Sequence, residues 1–292
     1  MHLLPQVLSG LGVLVAFAYF LACLFLYFRQ HKYLFFPSQN IEKTPALYDI
    51  PFEEIWIPVT TNGHTEHIYA WWMDNTKHSN GKVLLYLHGN AVNIGANVYA
   101  ASGYYKAGFS VLLIDYRGFG LSEGAFPSEN RVYEDAATAW NYLVKQQKIP
   151  PQNIYIYGHS LGGAIAIDLA VKHPDAAGLI VESSFTSIRN VIVARKLFRF
   201  FPVKLILKQN FDSISKIAKI KTPILLIHGA EDSTVPAFMS KQLYQAAPKP
   251  KELLIIPNAD HNNVGESAPS VYLKAVQSFV KLVEAKTQSN IY

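Results

Sequence analysis

The stretch Gly158-His159-Ser160-Leu161-Gly162 lies between the largely apolar run Asn153 to Tyr157 and the small-residue run Gly163 to Ala170. This is the pattern of a nucleophile elbow, a sharp turn from a strand into a helix. Glycines two positions either side of Ser160 let the turn close, because a Cβ at 158 or 162 would meet crowded backbone. Such a turn aims the serine Oγ outward, away from the sheet.

A serine hydroxyl is a weak nucleophile at neutral pH and needs a histidine base, with a carboxylate to hold the imidazole in the right tautomer. Both are available downstream, in the order nucleophile, acid, histidine, each just past the end of a strand. The acid candidate is Asp232, in the segment His228 to Pro236 that follows the apolar run Ile224 to Ile227. Its neighbour Glu231 points elsewhere in a turn, and Glu182, after an earlier strand, is a weaker substitute. The base candidate is His261, beyond the run Leu253 to Ile256 and downstream of the acid. His173, before Pro174, reads as a helix-end residue, and His159 as a packing neighbour of the nucleophile. Oxyanion donors are expected from the N–H of Leu161, at the start of a helix, and from the turn His88-Gly89-Asn90-Ala91, with Asn90 favoured over Ala91. That turn also reads as a plain strand-to-helix connector. The loop Asp115 to Ser122 holds glycines that permit a tight turn, with Asp115 and Arg117 expected to pair structurally rather than to act in catalysis.

Outward from the elbow, strands and helices alternate. Phe52 to Val59 and Glu66 to Met73 read as a hairpin around Thr61-Asn62-Gly63, with Trp56, Trp71 and Trp72 packing on the sheet. Strands over Val83 to Leu87, Val111 to Asp115 and Ile154 to Tyr157 are separated by helices over about 93–106 and 130–145. Strands at Leu179 to Val181, Ile224 to Ile227 and Leu253 to Ile256 follow, with helices near 237–246 and 268–284. This rhythm predicts an α/β fold, a mostly parallel twisted sheet with helices on both faces and ligands at the strand ends. The segment 187–219 breaks it, mixing Arg189, Arg195, Lys196, Arg199, Lys204 and Lys208 with apolar residues, and reads as a helical cap.

At the other end, Val7 to Phe28 carries no charge and, at about 1.5 Å per residue, can cross a hydrocarbon core of about 30 Å. The expected organisation is an anchor over 1–31, a connector over 32–51 broken by Pro37, Pro45 and Pro51, a domain over 52–286, and a tail over 287–292. A cleaved signal peptide is the competing reading. It is disfavoured because no Lys or Arg precedes the apolar run and no small-x-small site follows it. Leu21-Ala22-Cys23 invites a lipoprotein reading that Phe20 and the run Leu24 to Phe28 fit poorly. A lone cysteine permits no intramolecular disulfide and no cysteine-based metal site. Arg29, Lys32 and Lys43 follow the apolar run, so the positive-inside bias predicts a single pass with the catalytic domain in the cytoplasm. The formal net charge of +5 suits anionic lipid, reached through residues 7–28 and the basic cap, and no nucleic-acid-binding signature accompanies it.

Taken together, His88-Gly89-Asn90, the Asp115 to Ser122 loop, the elbow, Asp232 before Val235-Pro236, and His261-Asn262 resemble the α/β-hydrolase superfamily over about residues 52–285. The His-Gly-Asn turn, the Asp-Tyr-Arg-Gly loop and the anchor look like its membrane-anchored Bem-type and ABHD-type branch, serine-aminopeptidase-like or depalmitoylase-like. Asp260 departs from it, since relatives usually have glycine before the histidine. The resemblance implies an α/β-hydrolase fold that cleaves an ester, thioester or amide through an acyl-serine, with Ser160, Asp232 and His261 as triad and no cofactor or metal. The anchor and the basic, aromatic cap point to an acyl chain from a bilayer or an acylated protein. The cap reads equally well as an amphipathic cover with solvated cations. A serine aminopeptidase ranks lower, because it needs an acidic group for a free α-amine and Asp212 is the only acid in the cap. A non-catalytic membrane scaffold is the rival of another class.

Overall fold

The computed structural model describes residues 3–61, 63–76 and 81–289. Residues 1–2 of the expected anchor, Asn62 of the expected hairpin turn, and the tail from 290 lie outside them. The uncharged N-terminal sequence forms α1 (Leu3–Arg29), long and apolar enough to cross a membrane, with its side chains largely exposed. After a 3-10 turn over Gln30–Tyr33 comes the two-residue strand β1 (Phe36–Pro37). Then β2 (Glu53–Thr61) and β3 (His64–Met73) pair antiparallel, from Glu53↔Trp72 to Thr61↔His64.

The alternating part follows as β4 (Val83–Leu87), β5 (Ala91–Val92), α2 (Val98–Lys106), β6 (Ser110–Ile114) and α3 (Glu129–Asn141). Beyond it lie β7 (Ile154–His159), α4 (Leu161–Lys172) and β8 (Gly178–Glu182). Three short helices come next, α5 (Ile188–Ala194), α6 (Val203–Ile206) and α7 (Ser213–Ile217). The chain ends with β9 (Ile224–Gly229), α8 (Phe238–Ala246), β10 (Lys251–Ile256), α9 (Val264–Ser267) and α10 (Pro269–Ser289).

Eight strands form one sheet in the order β10-β9-β8-β7-β4-β6-β3-β2, every ladder parallel except the two made by β3. β4, β6, β8 and β9 are buried at every position, which requires helices on both faces, and an apolar cluster lies against each face. The strand order reverses at β4, so the crevice at the ends of β4 and β7 is the expected ligand position.

Four details differ from the sequence reading. The region after the anchor is part of the body rather than a linker. Phe35 and Ile50 are buried in the two clusters, and β1 pairs parallel with β5. Pro37 and Pro45 prevent long elements, and the backbone groups left over are bound by the body, as the carbonyls of Ser38 and Asn40 are by Asn93 Nδ2. The helix expected from residue 93 begins as a 3-10 turn, because the Asn93 side chain takes the Gly95 amide (2.9 Å). The cap is shorter than 187–219: α7 belongs to the body, with Ser213 and Ile217 buried and Lys216 Nζ bonded to Asp168 of α4 (2.7 Å). Trp71 packs inside as expected, but Trp56 on edge strand β2 is 47% exposed and rests on Tyr69.

Candidate active site

Ser160 holds φ 54 and ψ −117 at the junction of β7 and α4. A β-carbon on Gly158 would sit 2.1 Å from the Gly162 carbonyl oxygen, and one on Gly162 would sit 2.0 Å from that of Leu87. The glycines therefore let the chain pass, and the strained serine between them is held by Ser160 N donating to Glu182 O (2.8 Å) and Ser184 Oγ donating to Ser160 O (2.8 Å). Gly162→Ala is expected to lower stability by about 1–3 kcal/mol or more, since the clash is with backbone. Denaturant unfolding measures this, and an unchanged midpoint would contradict the steric account.

The two partners arrive on the loops after β9 and β10. His261 Nε2 lies 2.9 Å from Ser160 Oγ, and its Nδ1 lies 2.7 Å from Asp232 Oδ2. Asp232 Oδ1 accepts from the amides of Thr234 (2.8 Å) and Val235 (2.6 Å), and all three side chains are buried. Burial alone would raise the Asp232 carboxyl, but hydrogen bonds from His228 and His261 hold it well below the usual carboxylate range. Glu231 is exposed, and the two ring nitrogens of His261 are taken by Asp232 and Ser160. Glu182 is turned to Tyr157 (3.0 Å) and Tyr272 (2.6 Å), and burial pushes its carboxyl up. Where glycine was expected, Asp260 joins the two loops, its Oδ1 accepting from Ser233 N (2.9 Å) and His261 N (2.8 Å).

Asn90 and Leu161 both border a cavity beside Ser160, whereas Ala91 lies exposed in β5 opposite Phe36. As the first helical residue Leu161 has an amide without an intrahelical acceptor. The Asn90 turn is pinned from three sides: Asn90 Nδ2 donates to Leu34 O (2.7 Å), Phe36 N to Asn90 O (2.8 Å), and Tyr116 OH to His88 O (3.0 Å). The cavity holds about 410 Å³, within the about 300–1,000 Å³ of small-molecule sites, and its walls come from the cap, the end of α1 and the loop after β8. Arg195 is the only charged side chain among its lining residues. Among the described residues no group of three or more His, Cys, Asp or Glu is placed to hold a metal.

A family model described as "serine aminopeptidase, S33" matches residues 78–216, and one for the PhoPQ-activated pathogenicity-related protein matches 202–290. The uncharacterized protein Rv2307c of Mycobacterium tuberculosis is 32% identical over 262 residues, 88% of this chain and 89% of that one. The alpha/beta hydrolase domain-containing protein WAV2 of Arabidopsis thaliana is 29% identical over 94% of this chain and 91% of its own length. Among solved structures, the Pyrococcus furiosus esterase Pf2001 shares the fold with TM-score 0.69 and 21% identity, over 85% of this chain and 97% of that one. The chain belongs to the α/β-hydrolase superfamily.

Two features of this hydrolase were not legible from its sequence. His228 is fully buried, with Nε2 donating to Val235 O (2.8 Å) and lying 3.1 Å from Asp232 Oδ2, while Nδ1 accepts from Ser240 Oγ (2.6 Å). Asp232 thus sits between two imidazoles, and nothing in the sequence separated His228 from an ordinary core histidine. The second is a correction: Asp115 and Arg117 do not pair. Asp115 accepts from Ile94 N (2.9 Å) and lies 3.3 Å from His88 Nε2. Arg117 is met by Asp135 (Nε to Oδ1, 2.5 Å), Glu66 and Glu134. A buried guanidinium has five donors to satisfy, which one neighbouring carboxylate cannot do.

His159 packs beside the site as expected, Nε2 donating to His261 O (3.0 Å), and His173 ends α4 against Trp140. Burial, and then the neighbouring His261, lower the His159 imidazole to about 4. Its folded value is below the unfolded one of about 6.5, so the unfolded chain binds the extra proton between the two. Stability from this group is therefore complete above about 6.5 and is lost as pH falls toward 4. His159→Gln, whose amide can still donate to His261 O, is expected to lose less in Tm than wild type between pH of about 7 and about 4.5. Equal losses in thermal melts would show that His159 is not the responsible group.

Proposed function

We propose that this hydrolase cleaves an ester or thioester of an apolar acyl group through an acyl-serine intermediate on Ser160. The observation that carries the reading is the hydrogen-bonded series Ser160, His261, Asp232 opening onto a cavity lined mostly by apolar residues. His261 Nε2 takes the Oγ proton as Oγ attacks the acyl carbonyl, and the ionised Asp232 fixes Nδ1–H and stabilises the imidazolium that forms. The amides of Leu161 and Asn90 receive the oxyanion. The imidazolium then gives its proton to the departing alcohol or thiol, and water repeats the sequence to release the acid.

In this reading α1 is a single-pass anchor with the hydrolase body on the cytoplasmic side, and the acyl donor is a lipid or an acylated protein. An aminopeptidase, the wording of the family model, is the second reading. It calls for a carboxylate to receive a free α-ammonium, and the lining offers a cation, Arg195, with no Asp or Glu.

Fluorophosphonate labelling of the full chain, located by mass spectrometry, combined with a chain-length series of esters and thioesters, tests this. The expected adduct is on Ser160, with kcat/KM rising up to about fourfold per added methylene while the cavity fills, from about 0.8 kcal/mol per buried CH₂. Preference for acetyl esters would remove the acyl-chain reading. Preference for amino-acyl amides would restore the aminopeptidase.

A further inference from the structure

α1 is tied to the cap as well as to the connector. Gln30, one residue past α1, donates from Nε2 to Ile206 O (3.0 Å) and accepts at Oε1 from Lys208 N (2.6 Å) and Gln209 N (3.0 Å). One side-chain amide thus satisfies three backbone groups at the end of the cap. Further back along α1, Tyr19 OH donates to Phe200 O (2.8 Å) and its ring stacks on Phe201 with centroids 5.7 Å apart. The same two elements close the cavity: Leu26 and Gln30 on one wall, Ile206 and Leu207 on another.

Depth follows from length. α1 has 27 residues, and a hydrocarbon core of about 30 Å takes about 20 of them. Every run of about 20 residues within Leu3–Arg29 contains residues 10–22, so Tyr19 is at hydrocarbon depth in any register. The cap tip bonded to it lies at a similar depth. Its surface fits such a position: Phe200 is 73% exposed and Leu205 78%, yet neither borders the cavity, the Arg199 guanidinium lies over the Phe200 ring (4.6 Å), and Lys196 and Lys204 are close by in the sequence. Apolar side chains with a basic rim suit an element lying about 5–10 Å into the headgroup–acyl boundary, with the cations reaching back to anionic headgroups.

We infer that the cap tip, residues 195–205, is inserted in the leaflet around α1, so that an anionic bilayer is its partner and acyl chains pass along α1 into the cavity. The inference rests on α1 as a membrane span and on the acyl-hydrolase reading of the site. The alternative, a cap held in water, would leave Phe200 and Leu205 exposed while their neighbour Phe201 stacks on a side chain of the spanning helix.

The test uses the full chain carrying Cys23→Ser, with single environment-sensitive fluorophores attached through cysteine at position 205, 14 or 274, in vesicles of phosphatidylcholine and phosphatidylserine. The probe at 205 should shift to the blue and be quenched by doxyl-labelled lipid, as the probe at 14 is, while the probe at 274 stays aqueous. Quenching at 14 but not at 205 would overturn the inference and leave the span standing, and quenching at neither would remove both. In parallel, Phe200→Asp with Leu205→Asp should lower turnover of a long-acyl ester in the vesicles more than tenfold, with turnover of a soluble short ester and labelling of Ser160 unchanged. Equal loss on both substrates would overturn the inference. Failure of the parent chain to label at Ser160 would count against the hydrolase reading alone, since the fluorophore outcome does not depend on turnover.

Discussion

Ser160→Ala is expected to lower kcat/KM on an acyl ester by about 10⁴–10⁶-fold, with Tm nearly unchanged. In the proposed mechanism the size of the effect comes from function as a unit: without Oγ, His261 would have no proton to take and Asp232 would orient an imidazole that does nothing. What survives is the acceleration from oxyanion donors and substrate binding acting on water. The fold should tolerate alanine, because the backbone strain at φ 54 exists already and the bonds holding that backbone, Ser160 N to Glu182 O and Ser184 Oγ to Ser160 O, do not involve the deleted oxygen. Activity and thermal melts on one preparation decide the matter. A loss below tenfold would place the nucleophile elsewhere.

The elbow was legible because its constraint is steric and local: two glycines, each two residues from a serine, permit a turn that other residues obstruct, and a Cβ at 158 or 162 would meet backbone. The sheet was legible for a related reason. Runs such as Val83 to Leu87 are too short for a buried helix and too apolar for a half-exposed strand, so the expected β4 appears with the bounds read from sequence. Asp232 and His261 are singled out by their positions after such runs, and the structure brings His261 into hydrogen-bond reach of both Asp232 and Ser160. What escaped depends on partners distant in sequence. Leu34 and Phe36 looked like linker residues, yet their backbones fix the turn that carries Asn90. Arg117 looked paired to its near neighbour, but Glu66 lies 51 positions away and is brought in by the hairpin. The extent of the cap was overestimated because α7 is as basic as its surroundings, and only the buried Ser213 and Ile217 assign it to the body.

Asp232→Asn is expected to reduce kcat/KM by about 10⁴-fold while Glu231→Gln leaves it within about twofold, judged by the effect of the same change in a Ser-His-Asp site. An amide at position 232 removes the charge that, in the proposed mechanism, stabilises the imidazolium. It can also present its NH₂ toward His261 Nδ1, which then becomes the acceptor and leaves the proton on Nε2, where it faces Oγ without being able to take a proton. His228 sharpens the expectation. Its Nε2 is a donor, fixed by Val235 O, and already lies 3.1 Å from Oδ2, so a substituted side chain rotated to turn its NH₂ away from His261 would direct that NH₂ toward the amides of Thr234 and Val235 instead. Neither amide orientation satisfies both sets of partners. The pH dependence carries a sign. The folded carboxyl lies below its unfolded value of about 3.9, so the stability it contributes is complete above about pH 5 and is lost as pH falls toward the folded value. The stability gap between wild type and Asp232→Asn should therefore be constant near neutrality and narrow below about pH 4. Comparable damage from Glu231→Gln would instead make the exposed neighbour the working acid and require the loop after β9 to rearrange during the reaction.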